Sequence, residues 1–202
     1  PKDIFIKVNK NLRKENEDKI RSITEKSTPT ILWHGAFSQL TNSKVEANFA
    51  DARTYIYNNE AIDTAYHVGY DLSVTKHYAA EAANSGVVAF IGDLGIYGNT
   101  VIIDHGLGLF TLYSHLSAID VKVGDPIKQQ QPIGKTGETG LAVGDHLHFG
   151  VYLNGVPVLP VEWWDQKWIN DNVQPKLDGS SGENIEQAKG TPPRKVARKR
   201  KR

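Results

Sequence analysis

The tightest limit on the fold comes from residues 85–116, SGVVAFIGDLGIYGNTVIIDHGLGLFTLYSHL. Three runs rich in β-branched and aromatic residues are parted only by glycine-bearing stretches at 92–98 and 106–108. Connections this short suit hairpins rather than crossovers, so the segment reads as three strands of an antiparallel meander. Runs of the same texture flank it: KVEANFA, RTYIYN and GYDLSV before, HLHFGVYLNG after. VKVGDPI and QPIGKTGETG read as turn-rich strand connections. The expected fold class is mainly β, an antiparallel unit over residues 31–170. Ahead of it, NLRKENEDKIRSITEK has high helix propensity but sparse apolar positions at Leu12, Ile20 and Ile23. Residues 1–30 are therefore expected to be a helical connector, the end of a longer upstream region. After PVEWWDQKWI, residues 171–202 are poor in large apolar side chains and are expected to form a disordered basic tail.

Bulk properties narrow the function classes. A chain of 202 residues, 39% of them hydrophobic, can bury one respectable core. It contains no cysteine, so any metal must be held by histidine and carboxylate rather than thiolate. No apolar run approaches a membrane span, and the charged start PKDIFIKVNK shows no signal peptide. A chain that begins with proline reads as a processed product, so export remains the expectation. The net charge of +1 conceals an asymmetry, because the last nine residues, RKVARKRKR, carry seven of the 24 Lys and Arg. The other 17 basic residues face 23 acidic ones, which leaves the body at −6. Such a tail is either solvated or in contact with an anionic polymer or membrane surface. It lacks aromatic interleaving and a basic body, so no nucleic-acid partner is expected.

The chemistry lies in the histidines. In DHLHFG, His146 and His148 stand one residue apart in a strand-like run and face the same way. Alone, H-x-H supplies too few ligands for a metal. HVGYD adds His67 and Asp71, with Gly69 between them arguing for a loop entering a strand rather than a helix, and LYSHLS adds His115 at a strand end. Catalytic zinc commonly keeps three protein ligands and an open fourth position, and His67, Asp71 and one histidine of the pair make such a set.

HVGYD, YSHLS and GETGLAVGDHLHFG resemble the signatures of the lysostaphin-type zinc metallopeptidases that cut peptidoglycan peptides. ANFADARTYIYNNEAIDTAYH, GIYGNTVIIDHG, VKVGDPIKQQQPIG and VPVLPVEWW are similar to that family too, so the resemblance covers about residues 31–165. It implies a curled antiparallel sheet or barrel-like core and one Zn2+ per chain, ligated by His67, Asp71 and His148. It leaves His146 as general base towards water, with His115 orienting the water or stabilising the oxyanion. Which of the two moves the proton stays open. His105 is read either as a support to the site or as structural, and Trp163, Trp164 and Trp168 as a closing helix after Pro160. Two departures stand beside the site: Asp145 where the family most often has proline, and FADAR where Phe-Gly is more usual.

The resemblance implies a zinc endopeptidase acting on peptidoglycan cross-links or stem peptides in the cell envelope, expected in the periplasm. The D-alanyl–diaminopimelate cross-link is the favoured bond. The alternatives are an inactive scaffold or activator of another wall hydrolase, and a zinc D-alanine carboxypeptidase. Against the latter, no glutamate lies in DHLHFGVYLNG to serve as its base.

Overall fold

The computed structural model describes residues 3–4 and 7–179. A π-helical stretch, Lys7–Leu12, leads into helix α1 (Arg13–Thr24). Then follow strands β1 (Lys44–Ala47), β2 (Ala52–Tyr57), β3 (Glu60–Tyr66), β4 (Tyr70–Ser73), β5 (Ala79–Glu81) and β6 (Gly86–Asp93). The chain continues through β7 (Asn99–Gly106), β8 (Leu109–Ser114), β9 (Ala118–Ile119), β10 (Pro126–Ile127) and β11 (Pro132–Lys135). Strands β12 (Leu147–Leu153) and β13 (Val156–Val158) precede helices α2 (Pro160–Trp164), α3 (Gln166–Asn172) and α4 (Gln174–Leu177). The described residues fall into two compact units, divided between Asp165 and Gln166.

The main sheet runs β1-β4-β12-β8-β7-β6-β10, with β13 paired to β12, and every pairing is antiparallel. The meander is β6-β7-β8, with turns where the glycines stand. A three-stranded sheet, β5-β11-β9, and the hairpin β2-β3 complete the β structure. The hairpin turn falls on Asn58 and Asn59, whose φ values of 49° and 65° are the left-handed pair that a two-residue turn demands and asparagine tolerates. RTYIYN was expected to be a strand, but its partner EAIDTAY is a further strand not read from the sequence.

Both faces of the central sheet are covered. One face carries Ile102, Phe110, Leu112 and Tyr152, packed with Leu94, Ile96, Tyr97 and Ile20. On the other, Tyr113 and Phe149 pack together, and Trp164 stacks on Phe149 and lies against Tyr70. Trp163 closes on Trp33 and Phe37, so Trp163 and Trp164 do form the closing helix expected after Pro160.

Helix α1 departs from the expected connector. Ile20 is only 1% exposed in the core cluster, and Asn16 Oδ1 accepts the Ile96 amide at 3.0 Å. Downstream, the Asp104 carboxylate accepts hydrogen bonds from the Ser27 hydroxyl and from the Thr28 amide and hydroxyl. Residues 7–30 therefore pack with residues 31–165 as one unit, and the expected boundary at residue 30 has no counterpart. The few apolar side chains suffice because Val8, Leu12 and Ile23 pack with Ile20 against the same core cluster. At the other end, helix extends to Leu177, so the stretch from 171 expected to be disordered begins as helix. The basic segment RKVARKRKR lies outside the described residues.

Candidate metal centre

Strand pairing builds the centre. β12 lies between β4 and β8, in a register that sets His148 opposite Asp71 on one side and Ser114 on the other. His67 follows directly on β3 and opens the short loop, residues 67–69, that feeds β4. His67 Nε2 lies 3.0 Å from Asp71 Oδ1 and 3.0 Å from His148 Nδ1, and His148 Nδ1 is 2.9 Å from the same carboxylate oxygen. The three ligand atoms all fall within 4.8 Å of one another, and both histidines are buried. The trio expected from the sequence is thus brought together.

The donor set fits a divalent cation. A backbone carbonyl can only accept, so His67 Nδ1 donates to Asn48 O at 2.9 Å and a neutral ring presents an Nε2 lone pair to the centre. That lone pair meets a carboxylate oxygen and a second imidazole nitrogen, an arrangement that repels unless a cation lies among them. Burial pushes the Asp71 carboxyl upward, but where protons rather than a cation lie among these atoms, hydrogen bonds from His148 and then His67 hold it well below the usual carboxylate range. Burial, the largest influence on His148, favours its neutral, ligating form, against the pull of Asp71. Asp71 Oδ2 faces away from the trio and accepts a hydrogen bond from Arg53 Nη2 at 3.1 Å.

His146 and His115 stand beside the trio. Their rings are 4.7 Å apart, and His146 Nε2 is 3.6 Å from Asp71 Oδ1. His146 Nδ1 donates to Gly144 O at 2.7 Å and His115 Nδ1 to Thr139 O at 2.8 Å. In the neutral rings both Nε2 atoms are left as acceptors. Burial, followed by the charge of His148, lowers the His115 pKa to about 3. His115 adopts φ 61°, a left-handed conformation that is costly for a side-chain-bearing residue and often marks functional sites. All five histidine and aspartate positions line one cleft of about 500 Å³, together with Arg13, Arg53, Tyr55, Tyr97 and residues 141–145.

The remaining histidines lie apart from this cluster. His105 shares the sheet face of Thr111 and Tyr113, opposite to that of His148. It bonds Ser85 O and the Thr111 hydroxyl, both at 2.7 Å, and stacks edge-on against Phe37. Burial lowers its pKa to about 4. His77 is exposed, and its backbone N–H donates to Asp145 Oδ2 at 3.0 Å. Asp145 thus ties the segment before His146 to the loop at 77, a link that proline could not make. Arg53 and Arg13 escaped the sequence reading. A lone arginine in a strand gives no sign of which carboxylate it will meet, and Arg13 belongs to the helix read as a connector.

Residues 65–160 match the family model described as Peptidase family M23. The DD-carboxypeptidase/endopeptidase Mpg of Neisseria meningitidis is 41% identical over 95 residues, which are 47% of this chain and 22% of the relative. The peptidoglycan DD-endopeptidase ShyA of Vibrio cholerae is 33% identical over 115 residues, 57% of this chain and 26% of the relative. The chain therefore spans about a quarter of the length of these curated relatives. Among solved structures, the catalytic domain of the antimicrobial peptidase lysostaphin from Staphylococcus simulans superposes with a TM-score of 0.55 at 28% identity. That match covers 65% of this chain and 98% of the other.

Proposed function

We propose, from the match of residues 65–160 to the model described as Peptidase family M23, that this chain is a zinc-dependent endopeptidase of peptidoglycan. The observation that carries the proposal is the convergence of His67 Nε2, Asp71 Oδ1 and His148 Nδ1 beside two imidazoles whose Nε2 atoms are open to a proton. His67, Asp71 and His148 would hold one zinc ion. Zinc, when bound, supplies polarisation of the scissile carbonyl and acidification of water. His146 takes the proton of the attacking water on Nε2 and passes it to the leaving amine, so the amide C–N bond breaks with protons balanced. His115, kept neutral by burial, steers the water and stabilises charge developing on the carbonyl oxygen. The Thr139 and Gly144 carbonyls hold the two rings in the tautomer this requires.

The relatives' names, a DD-carboxypeptidase/endopeptidase and a peptidoglycan DD-endopeptidase, support a peptidoglycan substrate, and the favoured bond is D-alanyl–diaminopimelate, in the periplasm. The Neisseria relative's name also includes carboxypeptidase, so release of terminal D-alanine is the second activity to assay. Among the described residues, no helix is long and apolar enough to cross a membrane.

The test sets zinc content beside muropeptide release from sacculi. His67→Ala, Asp71→Ala and His148→Ala should lose both. His115→Ala and His146→Ala should keep zinc and lose about 100-fold or more in rate. A protein inert on every sacculus and stem peptide would favour the scaffold alternative and refute the enzyme reading. Loss of zinc from His146→Ala with retention in His148→Ala would reverse the assignment of the two histidines.

A further inference from the structure

One oxygen of Asp71 serves the trio, and the other is engaged by a side chain that no motif announced. Building on the zinc reading above, we propose that Arg53 is a positioning residue that holds Asp71 as a one-oxygen metal ligand. Oδ1 lies 2.9 Å from His148 Nδ1 and 3.0 Å from His67 Nε2, whereas Oδ2 lies 3.1 Å from Arg53 Nη2. A carboxylate with both oxygens free can turn about its terminal bond and offer either oxygen, or both, to a cation. A guanidinium N–H on Oδ2 removes that freedom and leaves Oδ1 directed at the imidazoles. The Arg53 side chain is 42% exposed, so its attraction to Asp71 contributes little to stability. Its effect falls on the orientation of the ligand.

The backbone brings Arg53 there together with a second support. Within residues 48–53, Asn48 O accepts the His67 Nδ1 proton at 2.9 Å. Ala50 N–H donates to His67 O at 2.7 Å, and His67 N–H donates to Asp51 O at 3.0 Å. Pairing of Ala52 with Tyr66 then opens the β2-β3 hairpin and sets Arg53 over Asp71. Ala50 takes φ 65° to make this bend, a left-handed conformation that alanine adopts only at a cost. One short stretch, FADAR with its preceding asparagine, therefore braces two of the three ligands. That stretch is also where this chain departs from the more usual Phe-Gly.

The test uses the full chain with Arg53→Ala, Arg53→Gln and Arg53→Lys. Zinc affinity is read by competition with a chromogenic chelator, ligand geometry by the visible spectrum of the cobalt(II) form, and kcat and KM on soluble muropeptides. Arg53→Ala should lose about tenfold or more in zinc affinity and alter the cobalt spectrum. Its metal-free circular dichroism and melting should match the unmodified protein, because Arg53 is half-exposed on a hairpin strand. Arg53→Lys should recover part of the affinity through its charged ammonium group, and Arg53→Gln less. Zinc affinity within twofold of the unmodified protein, with an unchanged cobalt spectrum, would overturn the proposal. A rise in KM alone would also overturn it and make Arg53 a substrate contact. Failure of the unmodified protein to bind zinc would instead bring down the trio reading, and the role of Arg53 with it.

Discussion

Gly69→Ala puts a single methyl between the two strands that carry Asp71 and His148, and its effect can be worked from distances. Gly69 stands between His67 and Asp71, just ahead of β4. A Cβ there would meet Phe149 O at 2.5 Å, His148 Cε1 at 2.8 Å and His148 Nε2 at 2.9 Å. Ordinary contact begins near 3.4 Å, so the three approaches fall short by about 0.9, 0.6 and 0.5 Å. The φ of Gly69 lies outside the left-handed region, so the cost is steric rather than conformational. Phe149 is held by its pairing with Tyr70 on β4 and Tyr113 on β8, which prevents its carbonyl from simply turning aside. Either β4 and β12 part or the His148 ring swings. Overpacking of this kind costs about 2 kcal/mol, equivalent to about 4–8 °C in Tm for a chain of this size. The ring displacement matches the ~0.5 Å within which a metal constellation must be held, so zinc affinity should fall about tenfold or more. The assay is thermal melting of the chelator-treated variant, followed by zinc competition. A Tm within about 1 °C of the parent, together with parental zinc affinity, would show that the ladder accommodates the methyl and would refute the reasoning.

Two further outcomes follow from buried groups. Ile20→Ala should destabilise the chain by about 3 kcal/mol in urea unfolding, because it empties a core site beside Tyr97, Phe110 and Tyr152; a loss under about 1 kcal/mol would return α1 to the status of a connector. His105 has its pKa lowered from 6.5 to about 4, so below pH 6.5 the unfolded chain takes up a proton that the folded chain refuses. Stability should therefore fall as pH drops from about 6.5 to 4, by about 3 kcal/mol from this residue, and level off below. His105→Asn is less stable at pH 7, but the gap to the unmodified protein should narrow towards pH 4; a gap constant with pH would refute this.

Much of the site and half of the architecture were legible in local sequence. The meander could be placed because alternation and glycine-bearing turns are short-range signals, and β6, β7 and β8 fall where VVAF, TVIID and LFTLY stand. The cluster of His67, Asp71 and His148 was legible because the motifs HVGYD and DHLHFG keep their residues close in sequence and the resemblance to a known family joins them. The face of His105 was not legible, nor the burial of Ile20, nor the partner of Arg53. Each depends on which surfaces meet across tens of residues of chain. The helix at 13–24 has the same propensity whether it spans solvent or seats Ile20 against Tyr97, and only the packed sheet decides between them. By itself the sequence determined which atoms were available to bind a cation. The register of β4 against β12, with the bend at residues 48–53, decided that Asp71 would offer one oxygen to the centre and the other to Arg53, because side-chain partnership across strands is set by long-range pairing that no single segment encodes.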